Sequence, residues 1–92
     1  MYFVYILTNH HRSVFYTGVT NNLKRRLSEH ERDKGITNSF TSRYYCYKLI
    51  HYEEFQYIED AIKREKEIKK LSRQNKIDLV KTRNPNLHFL KI

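Results

Sequence analysis

Five side chains in this 92-residue sequence carry chemistry that their surroundings do not require. On a helical wheel at about 100° per residue, Ile58, Ala61, Ile62 and Ile68 form an apolar stripe and Glu65 falls in its middle. Most other charges on that helix face away, Lys69 near its end excepted. A carboxylate directed inward is costly unless it meets a cation, a hydrogen-bond network or a metal. Upstream, Arg26 and His30 lie beside Leu23 and Leu27 on one helix face, while Lys24, Arg25, Ser28 and Glu31 point away. Tyr5 and Tyr16 add two phenols, one near the end of a first strand and one in a second strand just before Gly18. A carboxylate, a guanidinium, an imidazole and phenols aimed at a common sheet are coherent chemistry for a phosphodiester. Each also has a structural explanation. Glu65 could sit at the stripe's edge or pair with Lys69 or an arginine; Arg26 could snorkel; His30 could be a satisfied, half-buried ring; the tyrosines could be core aromatics.

The elements that must position these groups follow from local pattern. The aromatic and β-branched runs Tyr2 to Leu7 and Val14 to Gly18 predict a β-hairpin around the polar stretch Thr8 to Ser13. Asn21 or Asn22 can cap a helix from Asn22 to about Glu31. Arg32 to Ser42 has Gly35, Asn38 and hydroxyls but no periodicity, so it is expected to be a mobile surface loop. The sheet resumes over Tyr44 to Phe55, where Tyr45, Tyr47, Leu49 and His51 alternate with Cys46, Lys48, Ile50 and Tyr52. Glu59 and Asp60 open a helix from about Tyr57 to Leu71 that Lys69 and Lys70 close, in keeping with the helix dipole. Ser72 caps a last helix, Arg73 to about Thr82, which Asn84-Pro85 stops, and the tail packs through Leu87, Phe89 and Leu90. The order β-β-α-β-α-α predicts an α+β layer structure, a small antiparallel sheet flanked by helices.

Composition narrows the function. Length 92 with 39% hydrophobic residues predicts a single domain, 1–92, with one core. Two glycines, Gly18 and Gly35, exclude a dinucleotide or P-loop fingerprint, and the lone Cys46 excludes an internal disulfide or a multi-cysteine zinc site. The Met1 to Leu7 apolar run is far short of the roughly 20 residues that span a bilayer, so no membrane association is expected and the chain is expected to be cytoplasmic. Residues 1–60 hold eight basic and seven acidic groups, whereas residues 61–92 hold ten and three, so the last third carries +7 of the net +8. That block favours a polyanion, with Lys69, Lys70, Arg73 and Lys76 as candidate phosphate contacts; a solvated helix face is the plain alternative.

The sequence resembles the GIY-YIG nuclease superfamily. Phe3-Val4-Tyr5 matches its first motif and, after ten residues, Tyr16-Thr17-Gly18 matches the second. The resemblance continues through Thr20-Asn21-Asn22-Leu23, Arg25-Arg26-Leu27 and His30, then Tyr52-Glu53-Glu54-Phe55 and Ala61 to Glu65, nearly the whole chain. It is nearest to small standalone members with an excinuclease C-subunit-like nuclease domain. The resemblance implies a three-stranded antiparallel sheet and a one-metal phosphodiesterase site. Within it, Glu65 would ligate Mg²⁺ or Mn²⁺, Arg26 clamp the scissile phosphate, Tyr16 stand nearest the attacking water, and Tyr5 orient that water or a phosphate oxygen. His30 occupies a position where relatives carry His or Tyr. Phe3 replaces the namesake glycine, Val19 stands where some repair relatives have lysine, and Asn75 does not match the asparagine of larger members. The expectation is a metal-dependent endonuclease on DNA, with RNA also open, structure-selective and linked to repair or recombination. The alternatives are a non-catalytic nucleic-acid-binding module using the basic C-terminal third and a protein-interaction domain with a relict site.

Overall fold

Strand β1 (Tyr2–Thr8) forms the middle of the sheet, and its sequence, YFVYILT, explains why: both faces are apolar or aromatic, so both must be covered. In this computed structural model, which describes Met1–Ile92, β1 pairs antiparallel with β2 (Phe15–Thr20) and with β3 (Lys48–Phe55), in the order β2-β1-β3. Four helices complete the α+β architecture: α1 (Leu23–Asp33), a short α2 (Phe40–Arg43), α3 (Ile58–Lys69) and α4 (Arg73–Lys81).

The sheet splits the expected single core in two. Val4, Ile6 and Ile50 meet Ala61 and Ile68 of α3 and Val80 of α4 on one face, joined by Leu87 and Phe89 of the tail. Tyr5, Leu7, Leu49 and Cys46 meet Leu23 and Leu27 of α1 on the other, with Leu90. The tail crosses the β3 edge, where the Leu90 N–H donates to the Leu49 carbonyl at 2.7 Å.

Asn22 and Ser72 cap their helices, their side chains accepting from the backbone N–H groups of Arg25 and Asn75 at 3.1 Å each. The hairpin loop is tied internally: the Thr8 hydroxyl donates to the Val14 carbonyl, and Asn9 Oδ1 accepts from the Ser13 N–H.

Three expectations are corrected. The Arg32 to Ser42 stretch is not all loop: it opens in the last turn of α1 and runs into α2, and between them buried Ser42 accepts from the Ile36 and Thr37 N–H groups and donates to the Asp33 carbonyl. β3 begins at Lys48, not Tyr44: Tyr45 is left-handed (φ 56°) and the Cys46 N–H turns back to the Thr41 carbonyl. Within β3 the simple alternation fails at a bulge opposite Ile6 and Leu7, which places His51 on the face of Ile50 and opposite to Leu49.

On α3, Ala61 and Ile68 are buried, but Ile58 and Ile62 are exposed. Arg64 instead turns inward, donating two hydrogen bonds (2.9 and 3.3 Å) to the Glu53 carboxylate. Arg64 is therefore an inward charge that the wheel assigned to solvent.

Candidate active site

Tyr5 lies opposite Gly18 in the β1–β2 register, and the glycine is what lets its phenol lie flat across the neighbouring strand. A Cβ at position 18 would fall 2.5 Å from the Tyr5 hydroxyl oxygen and 2.6 Å from its Cζ. Gly18 thus supplies space rather than an unusual backbone conformation. Beyond it the Tyr5 hydroxyl is 3.1 Å from His30 Nε2, and His30 Nδ1 is 3.1 Å from Thr41 Oγ1. Tyr16 closes the cluster, its ring centroid 6.3 Å from Tyr5 and 5.9 Å from His30. The two strands supply the phenols, α1 the imidazole and α2 the hydroxyl that fixes the ring.

Burial sets the protonation of this chain of groups. Burial raises the Tyr5 phenol, the nearby Tyr16 and Glu65 charges add to it, and the Arg26 guanidinium only partly opposes them, leaving it pushed up to about 12. Burial, with the Arg26 charge, pushes His30 down to about 4. At neutral pH Tyr5 therefore keeps its proton and His30 is a neutral ring with one donor and one acceptor. The bonds run from phenol to Nε2 and from Nδ1–H to Thr41, or all in the opposite sense.

Arg26 sits at the rim of the same site. It does not neutralise Glu65; its Nη1 donates to Glu29 Oε1 at 3.1 Å, one helical turn away. Burial works against its charge, but the Glu29 and Tyr5 contacts outweigh burial and hold the guanidinium above its ordinary value. Glu65 approaches from α3, on the other side of the sheet, close enough for its charge to act on Tyr5. Its carboxylate is mostly buried and lies 3.6 Å from Lys69 Nζ.

The four basic candidates separate. Lys69 is taken up by Glu65, and Arg73 by the hairpin loop, where it donates to the Ser13 and Arg12 carbonyls and stacks on Phe15 with its guanidinium carbon 4.9 Å from the ring centre. Lys70 is exposed and Lys76 half-buried, and neither is in an ion pair. Asn75 is exposed on the first turn of α4. Three participants were missed: Gly18 as the cradle for Tyr5, Thr41 as the partner of His30, and Glu29 as the partner of Arg26. Only Glu29, three residues after Arg26, had a readable spacing.

On the opposite face, His51 Nε2 contacts Glu53 Oε2 at 2.8 Å, and Arg64 completes the network. Although burial opposes ionisation there, the hydrogen bonds from Arg64 and His51 hold the Glu53 carboxyl below its usual range.

A sheet of this order, with paired strand tyrosines meeting across a glycine, narrows the comparison. Residues 1–78 match the family described as the GIY-YIG catalytic domain. This chain belongs to the GIY-YIG family. It is 39% identical over 83 residues to a UPF0213 protein of Syntrophus aciditrophicus (strain SB), covering 90% of this chain and 92% of that one. With a UPF0213 protein of Clostridium perfringens the identity is 37% over 84 residues, covering 91% and 87%. The solution NMR structure of a UPF0213 protein from Bacillus halodurans superposes with a TM-score of 0.56 at 30% identity, covering 94% of this chain and 89% of that one. In GIY-YIG terms, Tyr5 and Tyr16-Thr17-Gly18 are the two namesake segments on adjacent strands, and they meet through the Tyr5–Gly18 contact.

Proposed function

We propose that this GIY-YIG protein is a divalent-metal-dependent endonuclease that hydrolyses nucleic-acid phosphodiesters, DNA foremost. The observation that carries this reading is the Tyr5–His30–Thr41 chain closed by Tyr16, with Arg26 at its rim and Glu65 within electrostatic reach. Such an arrangement exceeds what a sheet needs for stability, because Tyr5 and His30 hold polar atoms in an otherwise apolar layer.

Arg26 presents a planar fork of donors to the nonbridging oxygens of the scissile phosphate, exchanging its bond to Glu29 for bonds to the substrate. Its fixed charge meets negative charge that grows on those oxygens as water adds to phosphorus and the bond to the leaving oxygen breaks. The Tyr16 phenol positions that water, whose proton passes to solvent as the leaving oxygen takes one up. His30 is too weak a base to serve as the proton acceptor, since efficient bases have pKa values near the working pH. Its part is to hold the protonated Tyr5 phenol toward water or phosphate.

Glu65 would hold Mg²⁺ or Mn²⁺: it is a hard oxygen ligand, mostly buried, with only a lysine at 3.6 Å to displace. When bound, the cation supplies Lewis-acid polarisation of the phosphate and stabilises the leaving oxygen. A role in repair or recombination would follow from preference for flaps or branches.

Incubating the purified protein with duplex, single-stranded, flapped and branched DNA and RNA, in Mg²⁺, Mn²⁺ or EDTA, tests this reading. Cleavage in metal and none in EDTA is expected. Binding without cleavage under every condition would make the chain a nucleic-acid-binding module instead.

A further inference from the structure

The hydroxyl that fixes His30 belongs to Thr41, and its two flanking elements leave something unexplained. Phe40, just before it, is 47% exposed, and Tyr44, just after α2, is 45% exposed. These rings are not scattered. Phe40 stacks on Tyr16 with centroids 6.2 Å apart and planes at 28°, and Tyr44 follows 4.8 Å from Phe40, so the row runs outward from the site to solvent. The Arg43 guanidinium carbon stands 5.9 Å from the Tyr44 ring centre, and Arg43 makes no ion pair.

The row is also held in place. Ser39 caps α2, Thr41 Oγ1 contacts His30, the Cys46 N–H donates to the Thr41 carbonyl at 2.8 Å, and Ser42 is buried beneath. Exposed aromatic rings on an anchored support, beside a free arginine, have the features of a base-stacking platform: every base offers a π-face and the cation meets the adjoining phosphate. A base inside a duplex already has both faces covered and shows a protein only its edges. Only an unstacked base can lie on Phe40 or Tyr44. Arg43, the cation beside these rings, favours a nucleic-acid strand here over an average protein surface.

We propose that Phe40 and Tyr44 form a shelf that stacks an unpaired nucleobase next to the Tyr16 side of the site, so that the substrate class is single-stranded or splayed-strand nucleic acid, as at a flap or junction. This rests on the nuclease reading, because it assigns the strand whose phosphate reaches Arg26.

The experiment measures binding in EDTA, so that it does not depend on cleavage. Fluorescein-labelled single-stranded, flapped and blunt-duplex oligonucleotides are titrated by anisotropy against the wild type, Phe40→Leu/Tyr44→Leu, Tyr44→Leu alone and Phe40→Tyr. The double variant should lose roughly 5- to 100-fold in affinity for the single-stranded and flapped oligonucleotides, the range expected for one stacked base. Its affinity for blunt duplex and its salt slope should be unchanged, Tyr44→Leu should lose part of the effect, and Phe40→Tyr should retain wild-type binding. Equal losses on blunt duplex, or no loss on any oligonucleotide, would overturn the shelf alone. A wild type that binds none of them would overturn the nuclease reading with it. A wild-type dimer in sedimentation that disappears in the double variant would assign the rings to a second copy and also overturn the proposal.

Discussion

Gly18→Ala is the smallest change that tests how the site is built. The added methyl carbon would lie 2.5 Å from the Tyr5 hydroxyl oxygen, whereas ordinary contact begins at 3.4 Å, so the phenol must retreat by roughly 0.9 Å. Tyr5 is 1% exposed and its hydroxyl is bonded to His30 at 3.1 Å, so that retreat compresses the His30 side or tilts the ring out of its layer. Overpacking of this kind costs about 1–3 kcal/mol. For a domain of this size, that lowers the melting temperature by roughly 4–20 °C. A displacement near 1 Å at the chemistry costs on the order of 100-fold in rate. The assay pairs urea unfolding with single-turnover cleavage for Gly18→Ala, Tyr5→Leu and the double variant. Removing the phenol removes the clash, so the double variant should be less destabilised than the sum of the singles by about 1 kcal/mol or more. Strict additivity, or a Gly18→Ala protein with wild-type stability and rate, would show that the glycine is not what makes room for Tyr5.

Further outcomes follow from the same geometry. Arg26→Lys should not rescue function, because an ammonium lacks the planar fork; single-turnover rates should fall roughly tenfold to a thousandfold, with a smaller loss of affinity measured in Ca²⁺. Glu29→Gln should raise affinity for a phosphodiester strand a few-fold in anisotropy titrations, since it removes the anion that holds Arg26. His30 is pushed down to about 4 from an ordinary value of 6.5, so the unfolded chain binds the extra proton between those values and stability rises with pH across that window. Up to about 3 kcal/mol should be present above pH 6.5 and lost by pH 4; urea midpoints against pH show this, and His30→Gln should flatten the curve. Lys70→Ala/Lys76→Ala should reduce the slope of log affinity against log salt by about 0.7–0.9 for each phosphate interaction removed. Arg73→Ala should lower the melting temperature instead, because that guanidinium holds the hairpin loop.

Much of this was legible in sequence because local rules and tertiary needs coincided. Continuous apolar residues marked β1 as a strand covered on both faces, and the Asn22 and Ser72 caps fixed helix starts. Among the candidate residues, Arg26 and His30 stood out by type and helix face, Tyr5 and Tyr16 by their place in the GIY-YIG motifs, and the four side chains converge on one layer. What stayed hidden depended on contacts distant in sequence. Ser42 anchors a stretch without periodicity through backbone groups that no pattern announces, and Thr41 there reaches His30 across 11 residues. The bulge in β3 shifts the facing of His51, and on α3 Arg64 pairs with Glu53 while Ile58 and Ile62 face solvent. Charge density likewise pointed to Lys69 and Arg73, but density does not reveal that each already has a partner within the fold.

The metal-dependent form of the nuclease reading stands or falls on Glu65, which lies across the sheet from α1 and would complete a metal site beside Tyr5, Tyr16, Arg26 and His30. Single-turnover cleavage of a flapped DNA in Mg²⁺ or Mn²⁺ by wild type and Glu65→Gln, beside binding titrations of both, decides it. The amide keeps the volume and loses the charge that would hold the cation. Wild-type cleavage that EDTA abolishes, with Glu65→Gln binding normally and cutting at background, is the predicted result. Undiminished cleavage by Glu65→Gln, with contaminating nuclease excluded, would remove Glu65 from the site and the metal from its carboxylate.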